Sequence, residues 1–135
     1  MKKLFFSLSL LTLLATACKK DKDAPAITME NISGTYKIMS IIRTFSDGSQ
    51  VDMFENGQEC NKEDLEKYET NGNWSYIDAG LACDPAPNGS GTWELRSDTL
   101  LVNDYAVIIS KFDGSTMETI DEWSGNSVKT TYKKQ

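Results

Sequence analysis

Tyr105-Ala106-Val107-Ile108-Ile109-Ser110-Lys111-Phe112 runs into Asp113-Gly114, then Ser115 to Trp123, then Ser124-Gly125-Asn126, then Ser127-Val128-Lys129-Thr130-Thr131-Tyr132-Lys133. Three runs rich in β-branched and aromatic residues, cut by two short turn signals, read as strands joined by hairpins. In the last run Val128, Thr130 and Tyr132 share one face, the period-2 alternation of a half-buried strand. The first is the most apolar of the predicted strands, which predicts a central place in the sheet.

The same pattern continues upstream. Gly34 to Phe45 is a long first strand, Ser46-Asp47-Gly48-Ser49 turns it, and Val51-Asp52-Met53-Phe54 pairs back. Glu55 to Asp64 is polar, and Asn61-Lys62-Glu63-Asp64 can begin a helical turn with Asn61 as its cap. Leu65 to Thr70 and Trp74 to Asp78 flank Asn71-Gly72-Asn73, a hairpin signal, and Trp74, Tyr76 and Asp78 share a face. The longest loop is Ala79 to Gly91. Thr92-Trp93-Glu94-Leu95-Arg96 and Thr99 to Val102 meet at the turn Ser97-Asp98. No stretch sustains a helical repeat of apolar positions. Eight or nine strands in series, each tied to the next by a short turn, predict an all-β antiparallel up-and-down barrel. About eight strands leave an interior that holds side chains or one small ligand.

The first residues have a different grammar. Met1-Lys2-Lys3 is positive, Leu4 to Leu14 is apolar and uncharged, and Ala15-Thr16-Ala17 is small. These are the parts of a secretory signal, too short for a membrane-spanning helix of about 20 residues. Leu14-Ala15-Thr16-Ala17-Cys18 resembles a lipobox, with Ala15 where Leu is usual. Residues 1–17 are therefore expected to be removed as a lipoprotein signal peptide and Cys18 to be lipidated. Two or three acyl chains would anchor the chain stably. Residues 18–31 read as the lipidated Cys and a charged tether, Lys19-Lys20-Asp21-Lys22-Asp23 with Pro25 following. That run is similar to the signals that send Bacteroidota lipoproteins to the cell surface; the alternative is a spacer in a periplasm-facing lipoprotein. The expected location is the outer membrane, and residues 32–135 are the barrel domain.

Cleavage would take Lys2 and Lys3, so 12 basic residues would face 20 acidic ones and the net charge would fall from −6 to −8. An acidic chain is a poor partner for nucleic acid. With Cys18 taken by lipid, Cys60 and Cys83 remain, and an oxidising envelope favours their pairing. Two free thiols or a metal site are the alternatives; with no His in the chain, zinc is disfavoured and no metal or cofactor is expected. The lack of His also removes Ser-His-Asp and Cys-His devices, and there is no phosphate loop or nucleophile elbow. No catalytic activity is expected.

Ile32-Ser33-Gly34-Thr35-Tyr36 is like the Gly-x-aromatic entry of lipocalin-type barrels, with Tyr36 where many have Trp. Cys60-Asn61-Lys62-Glu63-Asp64, Asn71-Gly72-Asn73-Trp74, Cys83, Gly91-Thr92-Trp93-Glu94-Leu95 and Asp98-Thr99-Leu100 follow in order. The series resembles the lipocalin-like domain of small Bacteroidota lipoproteins. The resemblance implies fold and location more than activity, and a small hydrophobic ligand by analogy. The candidate barrel-interior residues are Tyr36, Trp74, Tyr76, Trp93, Leu95, Tyr105 and Tyr132. They either fill the core or line a cavity. In the first case the chain is a non-catalytic interaction or structural lipoprotein that contacts another envelope or host protein. Asn71–Asn73 and the Ala79–Gly91 loop are expected near a mouth. Glu63, Asp64, Glu66 and Glu69 are expected to form a solvated acidic face.

Overall fold

The computed structural model describes residues 24–85 and 89–135. The signal segment, Cys18 and the first part of the tether lie outside the described residues. Among the described residues a helical turn, α1 (Met29–Ile32), precedes nine strands. They are β1 (Gly34–Thr44), β2 (Gln50–Asp52), β3 (Leu65–Tyr68), β4 (Asn73–Ile77), β5 (Gly89–Arg96), β6 (Thr99–Val102), β7 (Tyr105–Phe112), β8 (Thr116–Trp123) and β9 (Asn126–Lys134). Every pairing is antiparallel, and neighbours in sequence are neighbours in the sheet from β3 to β9.

The sheet closes because β9 returns to β1, from Tyr36 opposite Lys134 to Thr44 opposite Ser127. Eight strands make the closed antiparallel barrel, β1 and β3 to β9. The ninth, β2, shares an edge of β1 with β3: Gly34 to Lys37 pair with β3, and Ile42 to Thr44 pair with β2. The expected Val51–Phe54 strand is shorter at its end because the Asp52 carboxylate accepts the amides of Phe54 and Glu55, both at 2.9 Å, and bends the chain into a turn. A 3-10 helix, Glu59–Glu63, follows with Gln58 before it. Asn61 is inside that helix rather than its cap, since its amide already donates to the Gln58 carbonyl at 3.1 Å.

One end of the barrel is sealed. Thr28 caps α1 by accepting the Asn31 amide at 3.2 Å, and the turn delivers Ile32 into the core with no exposed surface. Around it pack Tyr36, Tyr68, Trp93, Leu100, Ile109, Phe112 and Met117. Tyr68 stands edge-on to both Tyr36 and Trp93, at centroid distances of 5.8 and 5.5 Å, the favoured geometry for aromatic pairs. The Asn71–Asn73 turn is a tight hairpin, with Gly72 at φ +87°, a conformation only glycine takes without strain. It lies at the sealed end, beside β5, where the Gly72 carbonyl accepts the Trp93 amide at 2.8 Å. This corrects its expected place near a mouth: successive connections of an up-and-down barrel alternate between its two ends, so the β3–β4 turn and the β4–β5 loop cannot share one. The opposite end is ringed by the β1–β2, β6–β7 and β8–β9 turns and the chain leaving β4. Cys60 and Cys83 form a disulfide that ties the 3-10 helix to the β4–β5 loop.

Candidate ligand-binding cavity

Cross-strand register decides which side chains enter the barrel, because directly opposed residues share a face. Buried Tyr36 opposes Glu66, which opposes Tyr76; buried Tyr68 opposes Trp74. Buried Leu100 opposes Leu95 and Val107, and Val102 opposes both Trp93 and Tyr105. Tyr132 opposes buried Met117. All seven candidate residues therefore sit on the inner face.

They do not all meet one space. A cavity of about 500 Å³ opens away from the sealed end. Tyr68, Leu100 and Tyr132 form its floor, while Trp74, Glu66, Val102, Val107, Thr119 and Thr130 are its wall. Asn103, Tyr105, Asp121, Trp123 and Val128 stand toward the rim, where Tyr105 is 61% and Trp123 39% exposed. Trp74, Tyr105 and Tyr132 thus line the cavity. Tyr36 and Trp93 are buried in the floor packing, and Leu95 packs against it. Tyr76 lines a separate space of about 190 Å³ with Ile38, Ile41, Met53 and Phe54, beneath the segment that follows β2.

The polar groups in the cavity are held by neighbours. Glu66 Oε2 accepts the Tyr68 hydroxyl at 2.5 Å and the Trp74 indole N–H at 3.3 Å. Burial, then the Glu66 carboxylate, holds the Tyr68 hydroxyl well above the ordinary tyrosine range, and the same two causes raise Tyr132. Burial pushes Tyr36 up to about 12. These phenols stay neutral donors at physiological pH. At the rim the Tyr105 hydroxyl donates to Asp121.

The acidic cluster expected on a solvated face is divided. Glu63 is exposed, and Glu69 pairs with Lys67 at 2.6 Å near the surface. Asp64 is buried, accepting the Tyr76 hydroxyl at 2.8 Å and the Ala79 amide at 2.9 Å, and so fixes the start of the β4–β5 loop. Glu66 enters the barrel. The signal was present in Leu65-Glu66-Lys67-Tyr68: strand alternation puts Glu66 on the face of Tyr68. Thr119 and Asp121 follow from the same count along β8. No known protein family, curated protein or solved structure matches the chain.

Proposed function

We propose that this chain is a membrane-anchored envelope lipoprotein whose barrel holds a small, largely apolar molecule. The observation that carries the reading is the cavity: about 500 Å³, aromatic on floor, wall and rim, and open at one end. Ligand pockets span about 300 to 1,000 Å³ and combine apolar walls with a few placed polar groups. A core packed shut by its aromatics would support the interaction reading instead. The anchor rests on the lipobox-like Leu14 to Cys18 and on the pairing of Cys60 with Cys83, which leaves Cys18 as the odd thiol.

A second reading has its own observation. Met39 and Leu81 are 51% and 64% exposed and line one groove on the outer wall beside the 3-10 helix, a surface suited to a protein partner. Native mass spectrometry of the protein isolated from its host separates the two. The binding reading expects a co-purifying small molecule, a chain starting at an acylated Cys18, and one disulfide. A chain with no bound molecule, captured with an envelope protein that a Leu81→Asp substitution releases, would favour the second reading.

A further inference from the structure

The cavity has an electrostatic sign. Two carboxylates, Glu66 and Asp121, face it, and among the described residues none that lines it is Lys or Arg. Glu66 receives both of its hydrogen bonds on Oε2, from the neutral donors of Tyr68 and Trp74. Among the described residues no hydrogen bond takes Oε1, and Glu66 is one of the residues that line the cavity. The inward-facing cations lie elsewhere. Arg43 is stacked at the rim, its guanidinium 4.6 Å from the Phe45 ring centre and 5.6 Å from that of Trp123. Lys134 sits beneath the floor, donating to the Asn31 carbonyl at 2.9 Å.

We infer that the cavity takes an organic cation, an ammonium group carried on a flat apolar body. This inference rests on the binding reading above. A carboxylate in a partly enclosed site is costly without a positive partner, and an ammonium at Oε1 would supply one through a charge-assisted hydrogen bond. Trp74, Tyr68 and Tyr132 line the same cavity and give the flat body of the ligand apolar walls to pack against. Asp121 at the rim would draw the same charge inward. The arrangement disfavours fatty acids and other anionic amphiphiles, whose head group would meet Glu66 in a medium of low dielectric.

The test uses three probes of one shape and different charge: tryptamine, 3-ethylindole and indole-3-propionate. Each is titrated by calorimetry into the full chain as recovered from expressing cells and held in lipid nanodiscs. Tryptamine should bind tighter than 3-ethylindole by about tenfold or more, the scale of one charge-assisted hydrogen bond, and the propionate weakest. Glu66→Gln keeps an acceptor for Tyr68 and Trp74 but removes the charge, so it should bring tryptamine to within about twofold of 3-ethylindole. Asp121→Asn should weaken tryptamine by a smaller factor, and Glu94→Gln, on the outer face, should change nothing. Equal binding of all three probes, or an amine preference that survives Glu66→Gln in a folded variant, would overturn the cation inference while the binding reading stands. Failure of every probe, with no molecule on the native protein, would overturn both.

Discussion

Tyr36 shows how much one atom carries. Its ring is fully buried, and its hydroxyl donates to the Ile32 carbonyl at 2.7 Å, joining the first strand to the turn that seals the barrel. Tyr36→Phe strands that carbonyl, and urea unfolding should show a loss of about 1 to 3 kcal/mol. Asp113 acts at the other extreme of exposure. Its carboxylate accepts the Ser115 and Thr116 amides at 2.9 and 2.7 Å, which hold its pKa down at about 2. A depressed carboxylate contributes stability above its unfolded pKa and loses it as pH falls through the folded one. Asp113→Ala should therefore lower the melting temperature at pH 7, and the gap to the unmodified chain should close between about pH 4 and pH 2. Constant separation across that window would show that Asp113 acts by some other route. At this scale the sequence was partly legible. Asp-Gly pairs announced their turns, and alternation grouped Trp74 with Tyr76, and Tyr132 with Val128 and Thr130, on one face of their strands. Glu66 was hidden by its neighbours, since four acids within seven positions look like a solvated patch until the strand period is applied to each.

At the scale of elements, hairpins were readable and their distant partners were not. Strands β4 to β9 lie within a residue or a few of their expected bounds because turn residues and β-branched runs act locally. Two ladders shift register, between Ile38 and Ser40 against β9 and between Ile109 and Lys111 against β8. Such bulges change which side chains face inward, so that Ile41 and Arg43 rather than Ile42 align with the inner residues Thr130 and Val128. No local pattern in an apolar stretch such as Ile38-Met39-Ser40-Ile41-Ile42 marks that change. The Cys60–Cys83 bond spans 23 positions and joins two segments without a ladder between them. Replacing both cysteines with serine should cost about 3 kcal/mol in the chain-entropy account. Limited proteolysis should then cut first between β4 and β5, while far-ultraviolet circular dichroism keeps its β-sheet form. Loss of the whole barrel signal on reduction would mean that the bond organises the sheet itself.

For the whole molecule, closure and sealing are separate achievements. Closure comes from the long β1–β9 ladder, which leaves the barrel proper without an open edge. Sealing comes from α1, four residues long, and above all from Ile32. Ile32→Ala should cost about 2 to 4 kcal/mol by opening a void at the floor, measured as a lower urea midpoint with an unchanged slope. The same variant loosens the packing beneath Tyr68, so cation-probe affinity should fall together with stability, while the rim residues Tyr105 and Trp123 stay in place. The position of α1 also fixes a direction. Pro25 lies against Gly114 in the β7–β8 turn, and Asn31 reaches back to the Ala26 carbonyl, so the chain enters the barrel at its sealed base. If the proposed anchor at Cys18 holds, the tether joins the barrel at its base, the end opposite the mouth. A vessel tied at its foot keeps its opening clear of the rope, so a charged solute can enter from water without passing the tether.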